Sequence, residues 1–240
     1  NNVFYQILPF RDIEHADVSE NNLASYKVHK KIEKEGPFKK FLLTIYKKKD
    51  NHYFAKSVNK KLVKNYLLLT KEANIYKVLD KVQKKLINKK QIKDVRFPIF
   101  HKFVEDKKHA TLLIEKVNGK NASTLDIDQK IQVYEKSIEY IRLVGENISE
   151  KDKKIIGKRN TIFEILLFPF LMSLTLQKNT KHARLFAKAT FEFIKNIPAM
   201  LSDSHLVLTH RDLHGKNIFV NRKKIFLFDL ENTVFANTNV

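Results

Sequence analysis

The 240-residue sequence contains no cysteine and no tryptophan. Without cysteine there is neither a disulfide framework nor a thiolate metal site, so no metal-binding finger of that kind can form, and a reducing cytoplasm is the compartment that fits. Long apolar runs are scarce as well. The one stretch that suggests a membrane, IFEILLFPFLMSLTL from Ile162 to Leu176, contains Glu164 and Pro169 and is shorter than the ~20 residues a spanning helix needs. It reads as a buried, kinked core helix, and no transmembrane segment is expected. The chain opens on Asn1 rather than Met with no signal-peptide pattern after it, so the lack of a leader carries little weight.

Hydrophobic residues make up 43% of the chain, enough to bury one sizeable core or two modest ones. The formal charge is +20, which invites a nucleic-acid reading through counterion release. The excess is mostly lysine, however, and it runs through every segment, as a solvated surface would. No specific nucleic-acid partner is expected; attraction to an anionic substrate, or a peripheral membrane contact, stays open.

The first third reads as an antiparallel meander, with strands at Tyr26 to Ile32, Phe41 to Tyr46 and His52 to Val58 and turns at Gly36-Pro37 and Lys49-Asp50-Asn51. Helical spacing takes over from Asn65 to about Asn88, through Leu68, Ala73, Tyr76, Leu79, Val82 and Leu86. Two more strands follow, Ile99 to Val104 and Ala110 to Glu115. After Gly119 the pattern turns helical: Gln129 to Val144, Thr161 to Gln177, and Lys181 to Ile197 closed by Pro198, with a lysine-rich turn at Ser149 to Lys154. The expected architecture is α+β in two lobes, a small sheet lobe with one helix over residues 1–116 and a mainly helical lobe over 117–240. A cleft between unlike lobes is a natural ligand site.

Near the C-terminus stands LVLTHRDLHGKNIFVNRKKIFLFDLENT, Leu206 to Thr233. Asp212 and Asn217 share one loop; two apolar strands around the turn NRKK then return the chain, so that Asp229 faces the same cavity as Asn217. Two carboxylates and an amide oxygen make a hard-oxygen site suited to Mg²⁺. Lys56, in YFAKSV, alternates with apolar neighbours and can point into the cleft, and Glu72 on the following helix can pair with it.

The spacing H-R-D-L-x-x-x-N followed by a metal-binding Asp resembles the protein-kinase signature. Over nearly the whole chain the sequence resembles the aminoglycoside phosphotransferase and choline kinase group more than protein kinases. KEANIYKVL, FPIF, TLLIEKVNG, THRDLHGKNIFV and FLFDLE occur in that group's order. DLE at Asp229 to Glu231, and His214, fit it better than a protein kinase's Asp-Phe-Gly and lysine.

The resemblance implies a protein-kinase-like fold and an ATP- and Mg²⁺-dependent phosphotransferase acting on a hydroxyl of a small molecule such as a sugar, amino alcohol or aminoglycoside. It implies that Asp212 orients or deprotonates that hydroxyl, that Asn217 and Asp229 hold magnesium, and that Lys56 holds phosphate oxygens with Glu72 positioning it. Adenine would bond the backbone near Glu115 and Val117, and His210 would buttress the loop. Three departures stand out: Arg211 replaces the glycine common in the aminoglycoside enzymes, Lys216 precedes Asn217 and reads as solvated, and the nucleotide-covering loop has only Gly36. The chain also stops shortly after Glu231, where the group continues into helices that shape the acceptor pocket, so either the sequence is cut short or the acceptor site is minimal. The alternatives are a pseudokinase serving as a binding module, against which the intact Lys56, Glu72, Asp212, Asn217 and Asp229 argue, and a basic nucleic-acid-binding protein.

Overall fold

A computed structural model describes residues 23, 25–32, 41–159, 183–201 and 206–237. Its first lobe is a five-stranded antiparallel sheet in the order β1-β2-β3-β6-β5. The strands are β1 (Lys27–Ile32), β2 (Leu42–Lys48), β3 (Asn51–Asn59), β5 (Phe100–Glu105) and β6 (His109–Glu115). The β2–β3 hairpin pairs Lys48 with Asn51 across a two-residue loop, and Lys49 takes the positive φ of 54° that a tight hairpin requires.

Alternation along β3 sends Phe54, Lys56 and Val58 to one face and Tyr53 and Ala55 to the other. On the first face lies α1 (Val63–Asn88), whose buried stripe includes Leu69, Glu72, Ala73, Tyr76, Leu79 and Leu86. The stripe passes through Leu69 rather than the expected Leu68, because only position 69 keeps the three- and four-residue steps to Glu72 and Ala73. The second face carries a smaller cluster of Leu23, Tyr46, Ala55 and Leu113.

A four-stranded sheet in the order β4-β10-β9-β7 comes next, built from β4 (Val95–Arg96), β7 (Lys120–Asn121), β9 (Ile218–Asn221) and β10 (Lys224–Leu227). β9 and β10 are the hairpin read from the sequence, with Lys224 paired to Asn221. β4 joins β10 in parallel, a long-range pairing with no local sequence signal. β8 (Leu206–Thr209) and β11 (Val234–Asn237) form an antiparallel pair in which Thr209 faces Val234.

Among the described residues the helices of the second lobe are α2 (Ile127–Glu146), α3 (Glu150–Ile156) and α4 (Ala183–Leu201). α2 begins where the Asp126 carboxylate accepts the Gln129 N–H at 2.8 Å, the usual answer to unsatisfied amides at a helix start. α3 corrects the lysine-rich turn. Ser149 caps it, Glu150 and Asp152 lie in its first turn and Lys153 and Lys154 in its last, so the charges complement the helix dipole. α4 also departs from expectation, running through Pro198 to Leu201; in the last turn a proline forfeits only one backbone hydrogen bond. The expected helix at Thr161 to Gln177 and the Gly36-Pro37 turn lie outside the described residues.

One apolar core joins the lobes, with Tyr76 and Leu79 of α1, Tyr140 and Val144 of α2 and Ile225 and Leu227 of β10 among its members. At its edge the buried Gln83 accepts from the Phe97 N–H at 3.1 Å and the Tyr140 hydroxyl at 3.0 Å. This bond set fastens the residues after β4 to both α1 and α2. Among the described residues no helix is long and apolar enough to cross a membrane.

Candidate active site

Two antiparallel pairs bracket the motif at the C-terminal end. β8 and β11 hold its outer ends, β9 and β10 its inner ends, so residues 210–217 and 228–233 emerge side by side. Two backbone-directed bonds lock them: the Phe228 N–H donates to the Asn217 carbonyl at 2.9 Å, and Nε2 of buried His210 donates to the Phe228 carbonyl at 2.8 Å. Arg211 and Asp229 both adopt left-handed backbone conformations, with φ of 62° and 63°. Such conformations are unfavourable for residues with a side chain and persist where surrounding structure imposes them.

Asp229, thus turned, meets the β3 lysine. Nζ of Lys56 lies 2.8 Å from Oε2 of Glu72 and 2.8 Å from Oδ1 of Asp229, and 3.9 Å from Oε2 of Glu231. It also sits over the Phe41 ring at 5.1 Å. The consecutive elements β3 and α1 and a segment 173 residues beyond Lys56 therefore meet at one ammonium group. Glu72 and Glu231 are buried, at 1% and 7% exposure.

Burial works to lower the pKa of Lys56, but Glu72, Asp229 and Glu231 outweigh it and hold the ammonium well above its usual range. For Glu72, burial is the larger influence; the lysine opposes it, the two neighbouring carboxylates reinforce it, and the carboxyl is pushed up to about 7. Three carboxylates around one ammonium leave an excess of negative charge. Oxygen atoms of Glu72, Asp229 and Glu231 all lie within 4.8 Å of one another, a donor set that fits a hard divalent cation.

Asn217 is oriented by the neighbouring loop. Its Nδ2 donates to the Asp212 carbonyl at 3.0 Å and approaches Asp212 Oδ2 at 3.4 Å, which leaves its amide oxygen as the atom able to ligate a cation. The turn at Gly215 to Asn217 admits no bulk, since a Cβ on Gly215 would lie 2.7 Å from the Ser123 backbone nitrogen. Lys216 is exposed.

Glu115 and Val117 lie apart from the cluster. Lys56 pairs with Leu112 of β6, so Glu115 stands three residues, about 10 Å, further along the strand. Its carboxylate binds Arg96 and accepts the Ile99 N–H at 3.2 Å, and its own N–H donates to the Ile99 carbonyl at 2.9 Å. Val117 is half-buried. Arg96 itself lies over the Phe226 ring at 4.8 Å. The structure thus brings together Lys56, Glu72 and Asp229, and separately Asp212 and Asn217. It adds Glu231, a buried acid two residues beyond Asp229, whose only sequence signal is the final letter of DLE.

No protein-family model matches the chain, and no curated protein matches it by sequence. Solved structures do. A spectinomycin phosphotransferase, APH(9)-Ia, in complex with ADP and spectinomycin aligns at 17% identity over 88% of this chain and 66% of its own, with a TM-score of 0.55. A thermostable mutant of aminoglycoside phosphotransferase APH(4)-Ia, in complex with ADP and hygromycin B, aligns at 10% identity over 90% of this chain and 70% of its own, with a TM-score of 0.55. APH(3'')-Id from Streptomyces rimosus gives 15% identity over 87% and 72%, with a TM-score of 0.50. The chain therefore spans about two thirds of the length of these neighbours. It has their two-lobed, protein-kinase-like fold, the one its sequence motifs imply.

Proposed function

We propose that this chain, having the fold of the aminoglycoside phosphotransferases, transfers the γ-phosphoryl group of ATP to a hydroxyl of a small molecule. The observation that carries the reading is the half-buried Lys56 bonded at once to Glu72 and Asp229 at 2.8 Å. A lysine so placed is poised to exchange a carboxylate for nucleotide phosphate oxygens, with Glu72 retaining its position. Asp229 and the amide oxygen of Asn217 would hold Mg²⁺, which would supply positive charge to neutralise that of the transferred phosphate.

The remaining work belongs to the chain. Asp212 receives the acceptor hydroxyl; its oxygen bonds to the γ-phosphorus as the bond to the ADP oxygen breaks, and the proton passes to the Asp212 carboxylate. Little covalent chemistry is asked of the protein, so positioning and charge neutralisation supply most of the acceleration. Backbone at Glu115 and Val117 would receive adenine. The lysine-rich surface favours an anionic or neutral acceptor over a cationic aminoglycoside, and a cytoplasmic location suits ATP use.

The test is calorimetric titration of ATP with magnesium into the wild-type chain and into Asp229→Ala. Magnesium-dependent binding by the wild type that the substitution abolishes is the expected result. Failure of the wild type to bind would overturn the reading in favour of a pseudokinase module. Phosphate transfer to a panel of hydroxyl compounds then identifies the acceptor.

A further inference from the structure

His214 stands next to this machinery without a part in it. Its Nδ1 accepts the Lys216 backbone N–H at 3.2 Å and so caps the single turn Gly215–Asn217. A neutral imidazole that accepts at Nδ1 carries its proton on Nε2. That Nε2 lies 3.6 Å from Oδ1 of Asp212, while Oδ2 faces Nδ2 of Asn217 at 3.4 Å. The two oxygens of one carboxylate are thus bracketed from opposite ends of the same turn.

The bracket is stiff. The His214 N–H donates to the Asp212 carbonyl at 3.0 Å, and the Asn217 N–H donates to the His214 carbonyl at 2.8 Å. Ser123 blocks any displacement of Gly215 toward it. The side chains of His214 and Asp212 are 50% and 35% exposed, so both can be reached by an incoming acceptor.

We propose that His214 is a positioning residue for phosphoryl transfer: its Nε2–H restrains the Asp212 carboxylate against rotation, leaving the outward lone pairs to the acceptor hydroxyl. The inference rests on the phosphotransfer reading above. A separation of 3.6 Å is longer than a hydrogen bond, and the positioning role requires it to close when substrate seats, as catalytic hydrogen bonds that are long in the free enzyme often do. A role confined to capping would use only Nδ1; the positioning role requires Nε2.

Two substitutions separate the nitrogens. In His214→Asn the amide oxygen replaces Nδ1 and nothing replaces Nε2; in His214→Gln the amide nitrogen reaches the place of Nε2 and the cap is lost. Phosphate release from ATP and magnesium, with water as acceptor, is expected to fall on the order of tenfold in His214→Asn, with KM for ATP and thermal midpoint unchanged. His214→Gln is expected to keep the release rate while melting earlier. The opposite order would sink the proposal. Nitrogen-detected imidazole spectra give a readout independent of turnover: an Nε2–H tautomer whose Nε2 resonance shifts in Asp212→Asn is expected, and an Nδ1–H tautomer, or an unmoved resonance, overturns it. A wild type that releases no phosphate counts against the phosphotransfer reading, and the spectra still decide the role of His214.

Discussion

The cluster around Lys56 and the loop carrying Asp212 lie side by side with opposite construction. The cluster gathers four charges from β3, α1 and the segment after β10, and its stability depends on their mutual neutralisation. The loop is local and partly exposed, held by backbone hydrogen bonds within His210 to Asn217 and by two bonds to Phe228. Charge balance is therefore expected to govern folding in the first region and not in the second. Substitutions of similar chemistry should behave differently in the two.

The largest effect on stability is expected from Lys56→Met. Removing the ammonium leaves Glu72, Asp229 and Glu231 crowded without a counterion, and breaking a buried pair on one side costs about 3 kcal/mol or more. Urea denaturation measures it, and added magnesium should restore part of the loss; a variant as stable as wild type would erase the contrast between the regions. Gly215→Ala comes next. With Ser123 backbone 2.7 Å from the added carbon, overpacking should cost about 1 to 3 kcal/mol, read from the same denaturation curves.

The pH dependence sharpens the comparison. Glu72 has a folded pKa of about 7 against its ordinary value of 4.5, so between these values the native state holds a proton that the unfolded state has released. Its contribution to stability therefore falls as pH rises through that window. His210 acts in the other direction. Burial lowers its folded pKa below 6.5, so the unfolded chain takes up the proton first and stability is lost as pH falls through that range. Melting midpoints from pH 5 to 8 should show the Glu72 slope removed in Glu72→Gln and flattened by magnesium, which favours the ionised carboxylates. An unchanged slope in Glu72→Gln would mean that Glu72 is not protonated in the native state. The smallest effect on stability belongs to Asp212→Asn, within about 0.5 kcal/mol of wild type, although phosphate transfer should be lost; a large destabilisation would show that the loop, too, depends on charge.

The two regions also differ in how far the sequence reveals them. The loop's geometry could be read in part, because Asp212 and Asn217 lie five residues apart and a short hairpin ties them to Asp229, whereas the approach of His214 to Asp212 carried no signal beyond the family resemblance. Strand alternation put Lys56 on the correct face of β3, and helical period put Glu72 toward it. Local patterns failed where local signals conflicted. Charge density disguised α3 as a turn although Ser149 was present to cap it, Pro198 suggested an end that α4 passes, and Leu68 competed with Leu69 for the buried stripe. The parallel pairing of β4 with β10 and the bracket of β8 with β11 join residues too far apart for any window to register.

What the sequence by itself determined is the set of chemical groups, their order, and the local geometry that follows from periods of 2 and 3.6 and from short turns. Only the tertiary structure decided that Lys56 bonds both Glu72 and Asp229, that Glu231 joins them, and that Glu115 binds Arg96. These contacts join separate elements, 16 residues apart between Lys56 and Glu72 and 173 between Lys56 and Asp229. Their geometry is set by packing of the shared core, and the burial that results is what pushes Glu72 up to about 7. A carboxylate's pKa is a property of its surroundings, and surroundings exist only once the chain has folded.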